Sequence, residues 1–511
     1  MSQTQLDSRA QFDRVPHRFP ITICTVGATL MQALDQTIAN VALPYMQGSL
    51  SASADEVTWV LTSYITAAAI MTAPVGWLAA RFGRKYLFIT CLIGFTITSM
   101  MCGAAQSLEQ MVVFRIFQGL FGAALVPLSQ STMMDIYPVE QRGQAMAIWG
   151  VGVMIGPILG PTLGGYLTEL YDWRFVFYIN LPFGVLASVG LMIFMPRSHP
   201  NFNLRFDWIG FAVLSLGIGA LQTMLDRGHN QDWFSSGEII VEAIVGCLGI
   251  YLFIVHMLTA RKPFIPPEIF RDRNFAAGLA LMFAAGTILV SSSALMAPWL
   301  QNLANYPVDT TGLIMAPRGI GTMVAMLMGG RLASKIDPRR IMALGILLVV
   351  WSIWEMAVWT PDIPPGQIVL TIMVQGAGLG LIFIPLQVLG FATLPGQYRT
   401  DGTSLFSLLR NIGAAVGVSV TTSTLSHNTQ VMHAEIGAAV TPFNRALADG
   451  GMVERFWDPT TRHGAALLDK VIGHQAQIIA YMNDYRMMVF TTLPALLLLF
   501  LMRWPRRTGK G

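Results

Sequence analysis

The sequence predicts an all-α polytopic membrane protein of fourteen transmembrane helices: two six-helix bundles with two further helices inserted between them. Composition, the spacing of apolar segments and an internal repeat carry that prediction. Of 511 residues, 53% are hydrophobic and 12% are charged, whereas a soluble domain runs about 25% charged. So little charge excludes a cytosolic enzyme, a disordered scaffold and a collagen-like fibre. Apolar segments occupy 20–46, 57–80, 85–105, 109–135, 141–168, 173–195, 207–225, 238–260, 275–303, 311–332, 341–359, 366–393, 401–425 and 484–503. Each is close to the ~20 residues a helix needs to cross a bilayer. Helices are required because a lone strand leaves its N–H and C=O groups unpaired in lipid. The segments show little period-two alternation, which argues against a β-barrel.

The repeat orders the spans. Gly76-Trp-Leu-Ala-Ala-Arg-Phe-Gly-Arg-Lys85 follows the second span, and Gly330-Arg-Leu-Ala-Ser-Lys-Ile-Asp-Pro-Arg-Arg340 follows the tenth. Gln118-Gly119 and Pro127-Leu128 in span four recur as Gln375-Gly376 and Pro385-Leu386 in span twelve. Spans one to six therefore match spans nine to fourteen. The expected organisation is a first bundle over 1–196, two inserted helices over 197–262, a second bundle over 263–503 and a tail over 504–511. Two parallel six-helix halves around a central site mark an alternating-access transporter.

Charge sets the orientation. With the N-terminus inside, 22 of the 32 Lys and Arg residues fall on inner segments and five on outer ones. That bias places both termini in the cytoplasm. It also accounts for the net charge of +4 without nucleic acid as a partner. The polar first 18 residues lead into a long apolar run with no A-x-A cleavage pattern, which reads as a retained span and not a signal peptide. Cys24, Cys91, Cys102 and Cys247 all lie in apolar runs without ligand spacing and read as packing residues. The one long outer segment, 426–483, is expected to hold a small helical element. Its histidines, among them His427, His433, His463 and His474, lack a third donor at metal-ligand spacing and read as solvated loop residues.

The few polar residues inside the spans are the candidates for chemistry, because a charge in a bilayer is costly and usually functional. Asp35 lies about 16 Å below the outer end of span one, and Arg115 about 9 Å below that of span four. At such depths the two can pair. A carboxylate that gains and loses an Arg partner and water can carry a proton; a static ion pair is the alternative. Glu355 is a second proton-site candidate. Gln32, Gln36, Asn40, Gln118, Gln375, Arg318 and Arg410 are candidates to line a wet substrate cavity. The Gly76–Lys85 loop, with Gly83 and Arg84, reads as a latch between bundles or as positive-inside topology alone. Gly152, Gly156-Pro157, Gly160-Pro161 and Gly164 in span five read as a bendable interface where the halves rock, since small residues let backbones approach and Pro kinks a helix.

These segments together resemble the major facilitator superfamily, specifically its fourteen-span drug:proton antiporter branch with the EmrB-like multidrug export permeases. Leu34-Asp35-Gln-Thr-Ile-Ala-Asn-Val-Ala-Leu-Pro44 is similar to the branch's first-span motif, and Gly76–Lys85 to the superfamily loop motif, with Ala80 where that motif usually has Asp. Arg115 with Gln118-Gly119 is similar to the fourth-span motif, and Gly152–Gly164 to the antiporter motif. Trp173-Arg174-Phe-Val-Phe-Tyr-Ile-Asn180-Leu-Pro182 and Leu225-Asp226-Arg227-Gly228 with Asp232-Trp233-Phe234 complete the match. The resemblance implies proton-driven efflux of hydrophobic or amphipathic toxins from a bacterial inner membrane, with Asp35 and Arg115 as coupling residues. It implies a tripartite pump with an EmrA-like periplasmic adaptor and a TolC-like outer-membrane channel, driven by the proton gradient with no cofactor. A narrower exporter, of a siderophore or a fatty acid, and an importer are the alternatives within transport. An intramembrane protease would need a Ser-His or paired-Asp constellation, and only His256 of the eight histidines lies in a span. A nucleotide-driven pump would need G-x-x-x-x-G-K-[ST], which this sequence lacks.

Overall fold

The structure, a computed structural model, describes residues 17–504 apart from 139, 199, 229–230, 334 and 441–460. The polar N-terminal segment, the tail beyond 504 and the middle of the 426–483 segment thus lie outside the described residues. Every regular element among the described residues is helical.

All fourteen apolar segments coincide with helices. In chain order these are α1 (Arg18–Ser49), α2 (Trp59–Thr72, continued after a 58° bend as Val75–Phe82), α3 (Arg84–Gly103), α4 (Leu108–Ile136), α5 (Arg142–Leu170), α6 (Phe175–Phe194), α7 (Trp208–Arg227), α8 (Gly237–Thr259), α9 (Arg273–Leu303), α10 (Val308–Leu332), α11 (Pro338–Met356), α12 (Pro365–Gly390), α13 (Arg399–Ala438) and α14 (Arg462–Leu501). Eleven are long and apolar enough to cross a membrane, and twelve when the bent α2 is counted as one span. The other two, α1 and α11, have 32 and 19 residues and carry the polar residues discussed below.

Local chemistry sets the helix starts. Ser107, Asp207, Asp272 and Thr461 each accept from a backbone N–H in the first turn of α4, α7, α9 and α14, which satisfies one of the four orphan donors there. Pro338 and Pro365 open α11 and α12, where a missing N–H costs nothing. Gly83, at φ +85°, makes the sharp turn from α2 into α3, in a left-handed region that favours glycine.

Small residues set the packing. Gly152, Gly156, Gly160 and Gly164 on α5 lie against Val26, Ala33–Leu34, Thr37 and Ile38 of α1, and Thr37 Oγ1 donates to the Gly156 carbonyl at 3.2 Å. This corrects the expectation for the glycine stripe. It seats α5 on α1 of its own half and does not line the seam between halves. α5 is one continuous helix through Pro157 and Pro161; Pro157 is exposed, and the side chain of Pro161 lies outside the described residues. In the second half, Gly413 and Gly417 of α13 lie against Phe283, Thr287 and Ser291 of α9.

The seam is made by other residues. Gly143 of α5 and Gly330 of α10 face each other's carbonyls, and Gly150 meets Met326 of α10 and Ile384 of α12. Thr403 Oγ1 of α13 donates to the Pro127 carbonyl of α4 at 3.1 Å, and Gln130 bonds Gln387. All these contacts join the two halves toward the end bearing Arg84, Arg142, Lys335, Arg339 and Arg399, here the basic end.

α7 and α8 pack mainly on each other, with Gly217 and Gly249 in mutual contact, and only 28% and 22% of their spanning windows are buried. His256 ties α8 to Asp207, which caps α7, at 2.8 Å. A second correction concerns 426–483. No separate small element stands there among the described residues. Instead α13 runs on to Ala438 and α14 begins at Arg462. Forty residues make α13 about 60 Å long, twice the ~30 Å hydrocarbon core. The extension is a helical hairpin, held by His433 Nε2 with Asp469 Oδ1 at 3.0 Å and by Asn428 Nδ2 donating to Asp484 Oδ1 at 3.2 Å.

Candidate functional site

The main polar cluster grows from Asp35, near the middle of α1. Arg115 Nη1 donates to its Oδ2 at 2.9 Å. Gln118 Nε2 and Asn180 Nδ2 each donate to Oδ1, also at 2.9 Å. Asp35, Arg115 and Gln118 are fully buried, and Asn180 nearly so. A second layer holds these groups in place. Arg115 Nε donates to the Val60 carbonyl and Nη1 to Gln118 Oε1, and the guanidinium carbon lies 4.4 Å from the Tyr64 ring centroid, a cation–π arrangement. Ser99 Oγ accepts from Asn180 Nδ2 and donates to the Phe177 carbonyl. Gln32 Nε2 donates to the Tyr64 hydroxyl at 3.3 Å, and Gln36 lies close to the same group.

Three helices meet at this carboxylate, and α2 and α3 join the cluster through Arg115 and Asn180. Sequence depth alone brought Asp35 and Arg115 to one level. It placed Gln118 in the substrate cavity, whereas the structure makes it part of the ion-pair cluster. It did not assign Asn180, Ser99 or Tyr64 a place here; Asn180, a polar residue five helices away in an apolar run, was the available signal. Asn40 is exposed. Chemically, three N–H donors from α4 and α6 point at the two carboxylate oxygens on α1, so this one side chain ties the three helices together.

Among the described residues, the second half has no such cluster. Ile372 stands three residues before Gln375, as Arg115 stands three before Gln118. Gln375 is fully buried; its amide reaches only the Met356 sulfur at 3.9 Å, and its Oε1 has no partner. Arg318 of α10 donates to the Leu289 carbonyl at 3.0 Å, to Ser292 Oγ at 2.8 Å and to Ser293 Oγ. Its two terminal nitrogens are thus spent on α9, which corrects its assignment to the cavity wall. Glu355 lies in the last turn of α11, half-buried and away from the middle of the helix, with no ion pair among the described residues. A proton-coupling role there has no structural counterpart to the Asp35 cluster.

At the basic end, Asp135 of α4 pairs with Arg84 of α3 in its own half and with Arg399 of α13 in the other, the latter at 2.5 Å. Gly76 leaves the space that the Asp401 side chain fills. The Ala80 carbonyl accepts from Asn201 N at 3.0 Å, so the loop is tied to the chain after α6. The matching loop of the second half pairs its charges internally and is tied to the end of α14, where Arg339 Nη1 donates to the Met502 carbonyl at 3.2 Å. Asp337 pairs with Arg339 at 2.7 Å. Partial burial pushes the Asp337 carboxyl up, but hydrogen bonds from Arg339 and the charges of Arg339 and Arg340 outweigh it and hold the group below the ordinary aspartate value.

A narrow cavity lies in the seam, with Trp149 and Met154 of α5, Met326 of α10, Phe383 and Gln387 of α12 and Arg410 of α13 among its lining. At about 10 Å³ it has room for about one water molecule, so this conformer is closed around it.

The comparisons agree with this architecture. The family model "Major Facilitator Superfamily" matches residues 25–418. The multidrug export protein EmrB of Escherichia coli K12 is 36% identical over 426 residues, covering 83% of each chain. The fatty acid resistance protein FarB of Neisseria gonorrhoeae is 34% identical over 428 residues, covering 84% of each. Among solved structures, the human organic anion transporter MFSD10 superposes with a TM-score of 0.58 at 15% identity, over 93% of this chain and 99% of that one. A bacterial homologue of the lysosomal transporter Spinster, inward-facing and occupied, gives 0.53 at 21% identity, over 95% and 97%. The repeated loop, the closed seam and these matches lead to one conclusion: the chain belongs to the major facilitator superfamily, among its EmrB-like export proteins.

Proposed function

We propose that this protein exports hydrophobic or amphipathic toxins in exchange for protons, by alternating access across a bacterial inner membrane. The observation that carries this reading is the buried Asp35 carboxylate held by Arg115, Gln118 and Asn180. Loading a proton there loosens α1 from α4 and α6. The basic end, cytoplasmic by the distribution of Lys and Arg, then opens as Asp135 parts from Arg399. No cofactor enters the cycle, because the proton gradient supplies the work. The α13–α14 hairpin extends from the opposite end and offers a dock for an EmrA-like adaptor leading to a TolC-like channel, which makes this chain the permease of a tripartite pump.

The test is Asp35→Asn in proteoliposomes with an imposed pH gradient. The variant keeps the Arg115 and Gln118 neighbours but cannot exchange a proton. Gradient-driven efflux is expected to vanish while substrate binding persists; undiminished efflux overturns the reading. A narrower exporter of fatty acids is the second reading, favoured by the similarity to FarB.

A further inference from the structure

Arg410, half-buried on α13, differs from the other arginines that lie between helices. Arg115 has Asp35, Arg399 has Asp135, and Arg318 spends its terminal nitrogens on α9. Among the described residues Arg410 makes one hydrogen bond, a 3.5 Å approach to Asn411 Oδ1 beside it on the same helix. It forms no ion pair among the described residues, and no Asp or Glu lines the cavity it faces. It sits 11 residues along α13, about 16 Å from the helix start, near the middle of a ~30 Å hydrocarbon core. A cation at that depth is costly without a counter-charge.

Its position is built, not incidental. Gly286 of α9 presses against the Arg410 backbone, and Gly413 presses against Phe283. Thr287 Oγ1 donates to the Gly413 carbonyl at 2.9 Å. α13 is therefore fixed at this level, with the guanidinium directed into the seam. Apart from Gln387, which bonds Gln130, the rest of the wall is apolar and adaptable, with Trp149, Met154, Met326 and Phe383. Methionine and aromatic surfaces accept varied apolar bodies, while a guanidinium fork matches the two oxygens of a carboxylate.

From this we propose that Arg410 anchors the acidic head group of the substrate, so that the cavity selects hydrophobic carboxylates or similar planar oxyanions over neutral amphiphiles. The proposal rests on the export reading only for the direction of movement; the binding preference stands apart from it. Alternation gives the anchor a role. Opening the seam at the basic end widens the cavity around Arg410 and admits the acid's apolar body beside Trp149 and Phe383.

The test compares dodecanoate with dodecanol, two probes with one tail and different heads, by binding to the purified full-length protein in nanodiscs. Wild type is expected to prefer dodecanoate by about ten-fold or more, the usual margin for hydrogen bonds to a charged group. Arg410→Gln is expected to lower dodecanoate affinity to that of dodecanol and leave dodecanol binding unchanged, which also shows that the variant is folded. Arg410→Lys keeps the charge without the fork and should retain part of the preference. Equal binding of the two probes by wild type overturns the proposal without any variant, and so does a preference that survives Arg410→Gln. Proteoliposome efflux separates the two readings. If wild type moves neither probe under a pH gradient, export fails while the binding preference is decided by the nanodisc data. If efflux is proton-driven and indifferent to the head group, only the anchor fails.

Discussion

In the first half, α5 lays Gly152, Gly156, Gly160 and Gly164 along α1; in the second, α13 lays Gly413 and Gly417 along α9. These are repeat-related pairs, and their packing is the same. The polar groups at the same level differ. The first half buries an ion pair between α1 and α4, with groups of α2, α3 and α6 hydrogen-bonded in the same cluster. The second buries an Arg318 whose terminal nitrogens are met by neutral oxygens and a Gln375 almost without partners among the described residues, and turns Arg410 toward the seam. Backbone packing survives duplication because any substituent at a close approach is rejected in both copies. A charge pair survives only where both members persist, since a single buried charge is costly. On the proposed reading, one half holds the proton site and the other meets the ligand.

The largest effect that sharpens this contrast is on stability. Arg115→Leu strands Asp35 and is expected to cost about 3–5 kcal/mol, much of it recovered by adding Asp35→Asn. Arg318→Met loses hydrogen bonds to neutral groups but relieves a buried charge, and is expected to cost about 1–2 kcal/mol. Thermal unfolding in detergent ranks the variants, and equal losses break the comparison. Next, Gly156→Ala and Gly413→Ala both push a methyl group into a facing backbone and are expected to cost about 1–3 kcal/mol each. Gly165→Ala, with nothing within 4 Å, serves as the neutral control; a large difference between the first two denies that the packing is shared. The smallest effect is at the loops. Asp135→Asn removes a partly exposed pair across the seam worth about 1 kcal/mol, a roughly five-fold shift toward opening at the basic end. Asp337→Asn acts within one loop and is expected to leave that equilibrium in place. Spin-label distances between residues flanking Gly76 and Gly330 read both.

The fold was legible because lipid leaves few solutions. Apolar runs of spanning length must be helices, and the duplicated Gly76 and Gly330 loops with the duplicated Gln-Gly pairs order them into halves. Asp35 and Arg115 were legible as charges where charge is expensive. The rest was not, because partner choice depends on helix rotation. Gly152–Gly164 read as a seam from spacing, yet spacing only says that one face is small, not which helix meets it. Arg318 and Arg410 read alike in sequence, each a cation in an apolar run. Their neighbours separate them: Ser292 and Ser293 stand beside one, and a mostly apolar cavity beside the other.

By itself, then, the amino-acid sequence determined the solvent, the number of spans, their duplication and the residues whose burial would cost most, all of which follow from one-dimensional periodicity and charge count. The tertiary structure decided which of those residues satisfy one another. Asn180 completes the Asp35 site, Asp135 bridges the halves, the last two helices extend as a hairpin, and Arg410 is left facing the cavity. Such pairings depend on contacts between helices far apart in the chain, and no local pattern encodes them.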